Sequence, residues 1–309
     1  MVKDGAAPAV PRFTGHVTDA TLNADELTII GTGDVARLRL YPIGDVDWPE
    51  ESWSARVIRA FNDAGLGARL ELHADPAFDP LLAARTAETA GPTTLGDYLT
   101  FLVGMVGAAV TDRPNGDILV QALGARSLSA LYELDPADVE YAPQWVQELP
   151  GGNIVTVRYT GDQSEHVTVT DAASVSQYGE RAETIDTAFV SSSDAASRAN
   201  QRLSRAAYSH WNIPEAPVLR GLTLSIGAPL LLTGMPAASP ADPWSPVLEG
   251  WTDDINGDVW RMTLSLSDPL LSGLTLPWSS VPTDAAYRWN TIDPATDWTE
   301  ALTLEDLEL

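Results

Sequence analysis

The chain has 309 residues, with 43 Asp and Glu against 18 Lys and Arg, and a formal net charge of −25. That length suits two or three modest domains, and a 44% hydrophobic content is enough to build real cores. The acidity argues against gripping nucleic acid or anionic lipid, and the lack of cysteine excludes disulfide frameworks, thiolate zinc sites and thiol catalysis.

Residues 1–11 hold one Lys and no apolar run, so no signal pattern opens the chain. RFTGHV (12–17) and ELTIIGTG (26–33) predict two strands joined by a polar loop. Residues 50–64 predict a helix with Trp53, Val57, Ile58 and Phe61 on one face, stopped by Gly65. ARLELHA (68–74) alternates as a strand does. From Thr93 a helix is expected, capped by Thr93 or Thr94. Its apolar run YLTFLVGMVGAAV (98–110) falls short of the roughly 20 residues that span a bilayer, and reads as a buried helix. Asn115-Gly116, between AAVT and ILVQAL, predicts a hairpin turn with both central residues at positive φ.

After a proline-punctuated stretch, NIVTVRYTG (153–161) and EHVTVTD (165–171) alternate strictly and predict a second hairpin. The segment SVSQYGERAETIDT (174–187) carries alternating charges and no nucleophile with a partner nearby. A helix is expected over 194–208, capped by Ser193 or Asp194, with Ala195, Ala199, Leu203 and Ala206 as a stripe of small residues. VLRGLTLSI (218–226) and PLLLTG (229–234) predict strands, and residues 247–268 a hairpin with Asn256-Gly257 at its tip. Residues 248–271 also echo residues 13–38. Each has a Gly inside the first strand and a long alternating second strand that runs into an Asp. The echo suggests a structural duplication.

GTGDVA (31–36) fits the dinucleotide fingerprint, but Pro42 ends any helix after about a turn and a half, where the pyrophosphate needs a long one. His16, His73, His166 and His210 share no metal-ligand spacing. The pairs Glu50-Glu51 and Asp253-Asp254 are expected by chance in so acidic a chain, and DDINGD lacks the later Glu of a calcium loop. No nucleophile elbow, zincin motif or P-loop is present. No catalytic residue, cofactor or metal is therefore expected. Six of the ten Trp fall late, at 244, 251, 260, 278, 289 and 298. They can pack a β domain, or they can stack on sugar rings.

The succession RFTGHVTD, TLGDYL, NGDILV, NIVTVRY, SVSQYGER and DAASRANQRL, spread over residues 12–268, resembles the baseplate hub, or tail-tip, proteins of tailed bacteriophages, also called minor tail proteins. The resemblance implies a β-rich α+β fold with two related, tail-tube-like β-barrel domains and helical inserts. Its parts would be residues 1–48 (first barrel strands), 49–135 (helical insert), 136–235 (second barrel strands and connector helix) and 236–309 (returning hairpin and acidic tail). It implies a non-enzymatic homotrimer whose six barrels form a pseudo-sixfold ring. That ring would join the tail-tube protein to a distal fibre, spike or other minor tail proteins. DNA would pass without specific binding, held off an acidic wall within a Debye length of about 8 Å. The location implied is the virion tail tip, after synthesis in the host cytoplasm. Ring contacts would come from Arg12, Phe13, Gly15, Val155, Val157, Tyr178, Gly179, Trp251 and Trp260, with residues 174–187 as a connector anchored by Tyr178 and turned at Gly179. Such hubs often extend toward the cell with peptidase, lysozyme or receptor-binding parts. Since the chain stops at Leu309, that work is expected of a neighbour. The rival reading is a carbohydrate-binding tail module that uses the late Trp residues.

Overall fold

Alternating β-branched segments and two amphipathic helical patterns dictate most of the architecture. A computed structural model of the chain describes residues 15–23, 26–87, 93–125, 132–134, 145–160, 163–218, 224, 226–233, 244–256 and 259–267. The chain forms two units, one of residues 1–126 with 147–210, the other of residues 127–146 with 211–309.

The first unit opens on the antiparallel hairpin β1 (His16–Asn23) and β2 (Glu26–Thr32), with a bulge between Val17 and Asp19. Residues 12–14 of the strand expected over 12–17 lie outside the described residues, and residues 18–23 of the expected polar loop are strand, in keeping with the β-branched Val17 and Thr18. Asp34–Arg37 makes one helical turn and Leu38–Leu40 a 3₁₀ turn before Pro42, so no nucleotide-binding helix follows the glycines.

Helix α1 (Trp53–Asp63) is capped by Ser52, whose Oγ accepts from the Ala55 N–H at 3.3 Å. Its buried face is Trp53, Arg56, Val57, Ala60 and Phe61, and the chain leaves it through Gly65 at φ 72°. Ile58, expected inside, is 46% exposed, and Arg56 takes the inward position instead. Strand β3 (Leu70–His73) follows, then helix α2 (Leu95–Val106), capped by Thr94 and closed by Gly107 at φ 69°. The apolar run continues past this stop, and its end becomes strand β4 (Ala109–Asp112), antiparallel to β5 (Ile118–Gln121), which pairs in parallel with β3. In the turn between them the Gly116 N–H donates to Arg113 O at 2.9 Å, and Gly116 has a φ of 91°. Asn115 does not share the positive φ. Pro114 and Asn115 are the central pair of a four-residue turn, a place that suits proline's fixed φ.

Strands β6 (Ile154–Tyr159) and β7 (Glu165–Thr170) form the expected hairpin. The chain from this hairpin to the next long helix, which includes the expected connector over 174–187, has regular structure of its own. It contains helix α3 (Ala172–Tyr178) and strand β8 (Ala182–Asp186), which pairs in parallel with the other edge of β6. Helix α4 (Ser192–Ala206) is capped by Ser191, two residues ahead of Ser193. It lays Ala195 and Ala199 on the sheet, in one core with Val155, Val157, Leu99, Leu102, Trp53 and Phe61. Small side chains let the helix approach closely, and the Trp53 indole N–H fixes α1 to α2 through Leu102 O at 2.8 Å.

Gly44 shows how tightly this unit is filled. Its φ is 89°, and a Cβ there would lie 2.0 Å from an Arg85 guanidinium nitrogen. Gly44→Ala is therefore expected to destabilise the protein by about 2 kcal/mol, through strain and the displaced guanidinium. A fall in the urea midpoint with an unchanged slope would register it.

In the second unit β9 (His210–Val218), β10 (Val247–Asn256) and β11 (Val259–Ser267) form a sheet with β11 in the middle, antiparallel to both. Most of the strand expected over 218–226 lies outside the described residues, and the strand β9 just ahead of it was not expected. Pro214 and Pro217 hid β9; the register shift between Ile213 and Ala216 falls at Pro214, while Pro217 stands opposite Thr263 in the regular ladder. Leu230–Leu232 pairs in parallel with Tyr132–Leu134. The core holds Leu134, Ile213, Val218, Leu230, Leu232, Trp244, Leu248, Met262 and Leu264.

The described strands form sheets of two to four strands, none closed into a barrel, which corrects the expected pair of closed barrels. Both echoing segments are hairpins with a bulge in the first strand. The bulges are not equivalent, since one lies past Gly15 and the other just before Gly250.

Candidate functional site

Polar groups inside an apolar core persist only where their hydrogen bonds are met. Three such clusters organise the first unit. Arg56 is 1% exposed. Its Nε donates to Glu51 at 2.7 Å, one Nη donates to the Tyr98 hydroxyl at 3.0 Å, and the other to the carbonyls of Pro49 and Ala83 at 2.8 and 3.0 Å. Arg59 grips the same Glu51 at 2.8 Å. Burial pushes the Glu51 carboxyl up, but hydrogen bonds from Arg59 and Arg56 outweigh it and hold the group below its ordinary value. Trp48 and Tyr98 pack edge to face around this guanidinium.

The second cluster stands at the root of the β1–β2 hairpin. Buried Asp34 receives Arg69 on one oxygen and His16 Nε2 on the other, the latter at 2.9 Å, and Arg69 also donates to Gly116 O. The Arg69 hydrogen bond holds the Asp34 carboxyl below its ordinary value. Asp112 accepts from the Val35 N–H at 2.9 Å, packed where a side chain on Gly33 would otherwise sit.

Asn153, fully buried, makes the third. Its Nδ2 donates to Gly179 O at 2.8 Å and Ser174 Oγ at 3.2 Å, and its Oδ1 accepts from the Arg181 N–H at 2.8 Å. Ser174 in turn donates to Ala207 O at the end of α4. Arg198, 6% exposed, donates to Gly104 O at 3.1 Å, near the C-terminus of α2. There the helix dipole favours a cation, while burial pushes its pKa down to about 10. Arg56, Asp34 and Asn153 were not singled out in the sequence. The one available signal was an Arg or Asn within an apolar period.

Of the residues expected to make ring contacts, Arg12 and Phe13 lie outside the described residues. Gly15 is exposed just ahead of β1. Val155 and Val157 are wholly buried in their own unit's core. The opposite face of that sheet carries Thr156, which bonds Thr168 at 2.9 Å, and Arg158, paired with Asp186 at 3.6 Å. Tyr178 is half-buried, its hydroxyl 3.4 Å from Ser209 Oγ, and exposed Gly179 turns the chain at φ 77°. Trp251 is half-buried against the second unit's core, and Trp260 pairs with Ile255 across the last hairpin. The structure therefore does not gather these residues into one site. They divide between two units.

Of the late Trp residues, the side chains of Trp244 and Trp251 pack against the second unit's core. Trp244 is 6% exposed and lies 4.7 Å from Trp145, ring to ring, while Trp278, Trp289 and Trp298 lie outside the described residues. Among the described residues no group of three or more His, Asp or Glu is placed to hold a metal. No described helix is long and apolar enough to cross a membrane. The cavities are open hollows. One of about 360 Å³ is lined by Leu38, Leu99, Val103 and Val110, and another of about 310 Å³ by Arg56, Tyr98, Phe101 and Thr187. What these arrangements do is hold backbone geometry.

The sequence matches no protein-family model and no curated protein. Its structure is similar to solved tail proteins. The tail protein from Neisseria meningitidis MC58 is 14% identical, with a TM-score of 0.59 over 84% of this chain and 81% of that one. The 43 kDa tail protein of prophage MuSo2 from Shewanella oneidensis is 14% identical, with a TM-score of 0.54 over 84% and 76%. The prophage tail protein gp18 from Listeria monocytogenes EGD-e is 12% identical, with a TM-score of 0.50 over 82% and 77%. At these identities the likeness is one of fold: the chain has a β-rich α+β fold of the kind seen in phage tail proteins.

Proposed function

We propose that this chain is a structural component of a phage tail, acting at the tail tip as a baseplate hub. Three copies would form a ring with pseudo-sixfold outline, joining the tail tube to a fibre, spike or other minor tail protein and lining the path of DNA. The observation that carries the reading is the fold, shared along most of the chain with three tail proteins. Other features support it. The buried polar clusters stiffen a scaffold and offer no nucleophile beside a base. A net charge of −25 suits a wall that DNA must slide past. Two hairpins with related patterns, β1–β2 and β10–β11, suit a subunit that presents two similar elements to a ring. Gly15, Tyr178, Gly179, Trp251 and Trp260, with Arg12 and Phe13, are the proposed contact residues.

The test is symmetry. Class averages of the purified full chain by electron microscopy, at high concentration and with the tail-tube protein added, are expected to contain threefold rings with a central hole. Particles that stay monomeric under both conditions and bind cell-wall glycan would replace the hub with a sugar-binding module.

A further inference from the structure

The turn between β4 and β5 holds a chemically labile pair. Asparagine followed by glycine is the dipeptide most open to intramolecular imide formation, because glycine has no side chain to shield its backbone nitrogen. We propose that Asn115 is a gated modification site: the folded turn keeps it an amide, and Asp117 is the residue that guards it.

The reaction is self-contained apart from water. The Gly116 backbone nitrogen, its proton lost to solvent base, attacks Asn115 Cγ. A C–N bond forms and the Cγ–Nδ2 bond breaks. The amide nitrogen takes up a proton and leaves as ammonia, and a five-membered imide remains. Water then adds to one of the two imide carbonyls and that C–N bond breaks, giving aspartate or isoaspartate. No oxidation state changes.

Asn115 is exposed, so water and base reach it. Attack nevertheless requires groups that the fold has already committed. The Gly116 N–H is donated to Arg113 O at 2.9 Å. Asn115 Nδ2 donates to Asp117 Oδ2 at 2.6 Å, and its Oδ1 accepts from the Asp117 N–H at 3.1 Å. The Asn115 amide is thus turned toward Asp117, and the attacking nitrogen is engaged across the turn. Conversion would also damage the turn. A second carboxylate would stand where an amide now donates to Asp117, and the isoaspartate form adds a methylene to the main chain beside the Asp112–Ile118 pair, whose Ile118 is fully buried.

Peptide mapping by mass spectrometry of the full chain, aged in mildly alkaline buffer, reads the conversion directly. The second such pair, Asn256-Gly257, serves as an internal reference. Asn115 in the folded wild type should convert at least about tenfold more slowly than in denaturant, and about tenfold more slowly than in folded Asp117→Ala, the factor set by one charge-assisted hydrogen bond. Asp117→Asn keeps an acceptor but loses its charge, and its rate should fall between those of wild type and Asp117→Ala. Equal rates for folded and denatured wild type would overturn the gate. Equal rates for Asp117→Ala and wild type would overturn the guard. So would a rise at Asn256 in step with Asn115, since that reports general loosening. If Asp117→Ala does not fold, the folded-to-denatured ratio and Asp117→Asn still decide.

Discussion

Arg56→Met is expected to lower the stability of the first unit by about 3–4 kcal/mol. The methionine fills much of the same volume, so the loss is not mainly one of packing. It comes from the acceptors left behind. The carbonyls of Pro49 and Ala83 and the Tyr98 hydroxyl each receive a guanidinium proton now, in a site where the side chain is 1% exposed. Each buried acceptor left unmet costs about 1–3 kcal/mol, and relaxation recovers part of the sum. Arg56→Lys should lose more than half as much, because one ammonium cannot reach four acceptors spread round a planar fork. Urea titrations of the three proteins check the order wild type, Lys, Met.

Glu51 adds a pH signature to the same cluster. Its folded-state carboxyl is held below the ordinary value of 4.5, so it binds its proton more weakly folded than unfolded. The stability this supplies is fully present above that value and is lost as pH falls through the lower, folded one. The stability gap between wild type and Glu51→Gln should therefore be flat at neutral pH and close in acid. A gap that widened in acid would contradict the sign.

Those two residues also show what can be read from a sequence. Period and capping are local, and they were legible. Thr94 and the stop at Gly65 mark helix ends, and the Val-Thr alternation of β6 and β7 marks a half-buried hairpin. Alternation says which residues face inward, not what lies opposite. Val155 and Val157, ring contacts by the hub resemblance, face their own unit's core. Strand β8 was missed because AETID is short and charged, and it becomes a strand only by pairing in parallel with β6 after the chain has crossed through α3. Strand β9 was missed because its prolines argue against a ladder that a register shift repairs. Sheet closure is a property of distant pairings, and no single strand carries it. Arg56 and Asn153 are polar residues whose partners come from far along the chain, so their roles follow from the fold.

Asn153 carries the other large effect. Asn153→Leu is expected to cost about 2–3 kcal/mol, since it takes from Gly179 O and the Arg181 N–H the partner that a fully buried side chain now gives them. Asn153→Asp is nearly isosteric and informative in a different way. The Arg181 N–H still has an acceptor, but a carboxylate oxygen now faces Gly179 O across a 2.8 Å gap where a donor stood. Burial and that repulsion both favour a protonated acid, which can donate in place of the lost amide. The introduced group thus has a folded pKa above its unfolded value of about 3.9, and the variant loses stability as pH rises from that value through the higher folded one. Its urea midpoint, relative to wild type, should recover in acid, opposite in sign to the Glu51 effect. Hydrogen exchange would locate the damage. Amides of α3 and of the turn at Gly179 should open first, while the α1–α2 contact through Trp53 stays protected. The same variant tests the assembly reading, because Asn153 holds the backbone that presents Tyr178 and Gly179. Rings that form normally from Asn153→Asp at neutral pH would remove those two residues from the proposed contact surface.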